Sequence, residues 1–168
     1  MALTGYVSGQ VIQSVPTRGR MKVDRFTADG TWTVPAGVTY AVAHIRAGGG
    51  GNGFGVTGGG TGGTSSVAFA SGTVSATGGN PANIARADTV LAVAGAANSG
   101  QGAWGNNQRA ITTGEDNRVM KSGDGAYIVA GADVTPAASI TVTVGAGGTA
   151  GTSGAAGGSG YVWIEYLA

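Results

Sequence analysis

The sequence predicts an all-β fold, a sandwich or barrel of roughly six to eight short strands, with glycine-rich tracts between them. Three observations predict it. Short runs of sheet-favouring residues recur along the chain and are separated by glycine turns. Glycine supplies 35 of the 168 residues, and its tracts are too dense for any ordinary helix. No segment shows the amphipathic period of a helix.

Composition narrows the function classes. With only 3 Phe, 3 Trp and 5 Tyr, the core is expected to be thin. Glycine adds no side chain to it and loses the most backbone entropy on folding. Charged residues are 10% of the chain and the net charge is +1, against about 25% charged residues in a typical soluble domain. The basic surplus of a nucleic-acid binder is missing, and the 42% hydrophobic content is not that of a disordered chain. Low charge with many small residues suits a tightly packed assembly, so partner subunits are expected to complete the core. The absence of cysteine excludes disulfides and cysteine zinc sites. No apolar run reaches 18 residues, so no membrane insertion through a helix is expected. In MALTGYVSGQVIQSVPTRGRMK the positive charges come after the mildly apolar part, the reverse of a secretory signal. Synthesis and retention in a cytoplasm until assembly is the corresponding expectation.

Residues 1–25 read as an N-terminal arm of ordinary composition, carrying Arg18, Arg20, Lys22 and Arg25. These bases either dock on an acidic partner surface or guard a strand edge against aggregation. Docking is the preferred reading, because the arm differs in composition from the rest of the chain. Residues 26–168 read as the glycine-rich sandwich. Phe26, Trp32 and Val34 belong to a first strand, and Pro35-Ala36-Gly37 marks a turn. From Val38 to Ala47 the chain alternates, with Tyr40, Val42, His44 and Arg46 on one side and Ala41, Ala43 and Ile45 on the other. Gly48 to Gly63 is the first glycine tract, either a flexible loop or an extended polyglycine-type helix packed against others. Strand-like runs recur at Ser65–Ala76, Thr89–Ala94, Tyr127–Ala130 and Ser139–Val144, the last two joined by Asp133-Val134-Thr135-Pro136. A second glycine tract, Gly145 to Gly160, leads to the aromatic strand Tyr161–Tyr166, which is expected to pair with the first strand.

The run Phe26-Thr27-Ala28-Asp29-Gly30-Thr31-Trp32-Thr33-Val34-Pro35-Ala36-Gly37-Val38, the late SITVTVGAGGTAG and the terminal GYVWIEY carry a resemblance. In this order they resemble a glycine-rich module of bacteriophage tail-fibre and other virion proteins. They are also similar to the glycine-rich domain of some receptor tyrosine kinase ectodomains. The resemblance covers roughly residues 26–166. It implies a jelly-roll-like sandwich carrying a bundle of polyglycine helices. It also implies a virion-surface protein, a decoration or fibre protein forming a homo-oligomer (a trimer is expected) and contacting capsid or tail proteins. The alternative is an adhesin at a fibre tip that binds a host surface receptor or glycan. Residues 95–125 stand outside the resemblance.

The sequence carries few groups arranged for catalysis or cofactor binding. Gly53-Phe54-Gly55-Val56-Thr57-Gly58 satisfies G-x-G-x-x-G, but no helix comes after it to hold a pyrophosphate. His44 is the sole histidine and is expected on a sheet face or subunit interface, not in a metal site or triad. Glu115 and Asp116, with Asp124, are candidate acid–base or calcium groups, but ion pairs to Arg118 and Lys121 in a solvated loop are expected instead. No catalytic residue, cofactor or metal is expected. The candidate receptor contacts are Trp104 with Asn106, Asn107 and Arg109, an aromatic platform beside amides, together with Phe54. The competing role for Trp104 is to anchor its loop.

Overall fold

The computed structural model describes residues 19–54, 58–84, 91–93, 95, 97–102, 104–106, 120–152 and 154–168. Among these residues there are thirteen strands and no helix. In chain order they are β1 (Met21–Phe26), β2 (Gly30–Thr33), β3 (Tyr40–Arg46), β4 (Asn52–Phe54), β5 (Ser65–Phe69), β6 (Gly72–Ala76) and β7 (Ala82–Ile84). Then come β8 (Leu91–Val93), β9 (Trp104–Asn106), β10 (Met120–Lys121), β11 (Tyr127–Asp133), β12 (Ser139–Thr143) and β13 (Tyr161–Leu167).

Two antiparallel sheets of four strands dominate. One has the order β1-β13-β3-β11 and the other β2-β12-β5-β6. The pairing is nested. β1 pairs with β13, β2 with β12, β3 with β11, and β5 with β6 across a two-residue turn. A three-stranded sheet, β10-β9-β8, and the parallel pair β4-β7 are smaller additions.

Residues 26–34 and 38–47 flank a turn as expected, but β2 and β3 lie in different sheets. The turn carries the chain from one layer to the other. It is closed by Val38 N–H donating to Pro35 O at 3.2 Å, with Gly37 at φ 81°. That positive φ at the third position is what a type II turn demands of glycine. A matching turn is closed by Ala138 N–H and Thr135 O, and it places Ala137 at φ 63° without glycine's freedom. The two turns are tied together, because Ala137 N–H donates to Val34 O and Val34 N–H to Ala138 O.

The arm boundary also moves. Residues 21–25 belong to β1, and Arg20 and Ala168 exchange backbone hydrogen bonds at 2.8 and 3.1 Å, extending the β1–β13 ladder outward. The expected pairing of the last strand with the first therefore holds at Phe26, which opposes Val162, and not at Trp32, which opposes Ile140 in the other sheet. Basic composition marked this segment as separate, but its ladder hydrogen bonds make it an edge strand.

Strand alternation delivers one apolar face of each sheet to a shared core. Ala41, Ala43, Ile45, Val162, Ile164 and Tyr166 come from one sheet, and Trp32, Val67, Phe69, Ile140 and Val142 from the other. Trp32 and Tyr166 meet at a ring separation of 5.5 Å, and both donate to the same carboxylate oxygen, Asp24 Oδ2, at 2.8 and 3.0 Å. One acidic residue on the edge strand thus satisfies two buried polar tips. Burial and the Asp24 hydrogen bond raise the pKa of Tyr166 above 10.0. The folded state therefore holds this proton more tightly than the unfolded chain does. The resulting stabilisation is complete below about pH 10 and declines as pH rises through the folded value. Tyr166→Phe is expected to be less stable at neutral pH but to lose stability less steeply above pH 10, as denaturant melts across pH 8–11 would show.

The glycine tracts obey a three-residue rule. Gly48 and Gly51 donate to Gly63 and Gly60, Gly49 and Asn52 to Gly158 and Ala155, and Gly50 to Gly123. Donors three positions apart reach the same neighbouring segment, and the intervening ones reach different segments. The pattern recurs where Gly60 and Gly63 donate to Thr149 and Ala146, and where Gly157 and Gly160 donate to Gly148 and Gly145. The bonds run between segments, which satisfies backbone groups that would otherwise be buried unpaired. Two side chains stitch this region to its surroundings. Asn52 Oδ1 accepts from Ala155 N–H at 2.7 Å. Ser65 Oγ donates to Arg46 O and accepts from Gly145 N–H.

Candidate functional site

The outward face of the β1-β13-β3-β11 sheet is the candidate site. Directly opposed residues of an antiparallel pair share a face, so the registers lay this surface out in four rows. The first row is Tyr161, Arg46 and Tyr127; the second is Arg25, Trp163, His44 and Val129. The third is Val23, Glu165, Val42 and Gly131; the fourth is Met21 and Leu167 on one side, with Tyr40 and Asp133 on the other. Every large hydrophobic residue found exposed among the described residues lies on this face: Met21, Val23, Tyr40, Tyr127, Val129 and Leu167, from 44% to 63% exposed.

The opposite outer surface of the molecule provides a contrast. There the second sheet presents Thr31 against Thr141, Thr33 against Ser139, Ser66 against Thr143 and Ser75, and Ala68 against Thr73. Both faces are built by the same alternation, yet one is small and polar while the other is aromatic and apolar. Solvated sheet faces ordinarily resemble the former.

The aromatic side chains form one cluster. Tyr161 and Trp163 stack at 5.1 Å with planes 3° apart, and His44 stacks on Trp163 at 4.8 Å and 26°. Arg25 places its guanidinium 5.8 Å from the Trp163 ring centre. Trp163 thus has two stacked ring neighbours and a cation beside it. His44 Nδ1 lies 2.6 Å from the Tyr127 hydroxyl, and His44 Nε2 lies 3.5 Å from Glu165 Oε2. The Tyr127 pKa is raised, first by desolvation and then by Tyr161 and Glu165, with Arg46 opposing. Its hydroxyl therefore keeps its proton at neutral pH and can donate to Nδ1. Tyr40 extends across Gly131, where a Cβ would fall within 1.9 Å of its hydroxyl oxygen. An open cleft of about 270 Å³ adjoins the cluster between Arg25, Tyr161 and Asn98.

The sequence candidates are distributed differently. Of the basic arm residues, Arg18 lies outside the described residues. Lys22 opposes Tyr166 and Arg25 opposes Trp163, so strand alternation sends their side chains to opposite faces and these two do not share a patch. Phe54 ends β4, paired with Ile84, and Trp104 and Asn106 lie on β9 between β8 and β10. Asn107, Arg109, Glu115, Asp116 and Arg118 lie outside the described residues. Asp124 accepts from Gly102 N–H at 2.7 Å and sits 3.9 Å from Arg46. Among the described residues no cluster of three His, Asp or Glu could hold a metal. His44 is on a sheet face, as expected. The sequence displays the Tyr40–Arg46 and Tyr161–Glu165 alternations without marking either as a site. The available signal was Tyr, Trp and Val at the alternate positions where a solvated strand carries polar residues.

Compared with protein-family models, curated proteins and solved structures, the chain finds no match in any of the three.

Proposed function

We propose that this chain is a non-enzymatic, oligomeric structural protein of a bacteriophage particle surface, a decoration or fibre protein contacting capsid or tail proteins. The observation that carries the association part is the single aromatic and apolar sheet face opposite a Ser/Thr face. A large exposed apolar patch of that kind favours contact with another protein. The resemblance of the Trp32-Thr33-Val34-Pro35 strand, the glycine tracts and the terminal aromatic strand to virion modules supplies the particle. The finer fold belongs to the same reading. Numbered one to eight in chain order, the strands of the two main sheets run 1-8-3-6 and 2-7-4-5. This nested order supports a jelly-roll-like sandwich. The three-residue hydrogen-bond rule supports polyglycine II helices in the glycine tracts. Arg18, Arg20 and Lys22 remain the proposed particle-docking bases; Arg25, beside Trp163, belongs to the aromatic face instead.

Quantitative mass spectrometry of purified particles of the encoding phage tests this reading. Many copies per particle are expected, and complete absence from the particle would remove it.

A further inference from the structure

We infer that the β1-β13-β3-β11 face is closed by a second copy of itself, in an isologous pair with strands running antiparallel across the interface. This deepens the oligomer reading above and rests on it, with a dimer in place of the trimer that the resemblance implied. The first two rows of the face hold Arg46, Arg25 and His44, and the last two hold Glu165 and Asp133. On the face itself the arginines stand in the first two rows and the carboxylates in the last two, with Val129 in the second row and Val23 and Val42 in the third; beside the first row, Asp124 sits 3.9 Å from Arg46. A twofold axis lying in the interface and crossing the strands exchanges the two ends. Row one then meets row four of the partner, and row two meets row three.

Under that operation Arg25 faces the partner's row of Val23 and Glu165, and Arg46 faces its row of Tyr40 and Asp133. Neighbouring strands are about 4.8 Å apart and stacked sheets about 10 Å apart, a span that a long arginine side chain bridges. The same operation lays Val129 on the partner's Gly131 and beside its Val42, and Tyr161 on the partner's Leu167, so apolar surface meets apolar surface. A single self-complementary patch with antisymmetric charge suits an isologous pair. A head-to-tail ring would need a second, different patch. The Ser/Thr face of the other sheet lacks the apolar content to supply it.

Sedimentation and light scattering of the full chain over a range of concentrations test this. The expected particle is a dimer, twice the chain's 16.1 kDa. Val129→Glu, at an exposed position, is expected to weaken dimerisation by roughly tenfold or more. Thr141→Glu, on the opposite sheet face, is expected to leave it unchanged. Arg25→Glu and Glu165→Arg are each expected to weaken it, and the double variant to recover most of the loss. A trimer, or a dimer indifferent to Val129→Glu and to both charge variants, would overturn the pairing and leave the oligomer reading standing. A monomer at every concentration would overturn both. Copy number on the particle judges the virion reading separately.

Discussion

Trp32→Ala is expected to cost about 3–5 kcal/mol of unfolding free energy and to lower Tm by roughly 10 °C or more. The residue is 2% exposed and lies where the two main sheets meet. Truncation removes the ring contact with Tyr166 and leaves a cavity between sheets joined by few other large side chains. It also takes one of two donors from Asp24, leaving the carboxylate with Tyr166 alone. Pro35→Ala is the comparison. It relaxes one residue at the start of a turn whose geometry depends on Gly37, and a change within about 1 kcal/mol is expected. Chemical denaturation of both variants ranks them. A Trp32→Ala loss no larger than that of Pro35→Ala would contradict this account of the core.

Gly49→Ala is expected to be nearly as damaging, about 3 kcal/mol, for a different reason. Gly49 N–H donates to Gly158 O, and Gly49 O accepts from Gly148 N–H, both at 2.8 Å. The third direction, where a side chain would project, holds Gln101 O only 1.9 Å from an added Cβ. Relief requires moving one backbone away from another to which the bundle is hydrogen-bonded. Gly37→Ala separates steric from conformational cost. There an added Cβ meets nothing within 4 Å, and only the positive φ is penalised, by about 1–2 kcal/mol. Equal losses at the two positions would mean that residues 47–52 are not held as tightly as their hydrogen bonds indicate.

These two residues show how far the sequence reaches. Trp32 was legible as core because a large aromatic alternates with threonines in a short run ended by a proline turn. The alternations at Tyr40–Arg46 and Tyr161–Glu165 were legible too, as patterns with two sides. Which side faced water was not, because both sides carry apolar residues, and only the packing of a second sheet against Ala41, Ala43 and Ile45 chooses. The role of Asp24 was not legible, since its two partners lie 8 and 142 residues away in the chain. Gly49 was one glycine among many; its intolerance of a side chain comes from segments brought beside it by the fold.

The sequence by itself determined the strand-rich character, the turns at Pro35-Ala36-Gly37 and Pro136, and the glycine tracts as a distinct part, because these depend on local backbone preference and short-range alternation. The tertiary structure alone decided which strands share a sheet, that residues 21–25 complete one, and that the exposed large apolar residues among those described gather on a single face. Each of those depends on pairing between residues far apart in the chain, and local propensity carries no record of such pairing.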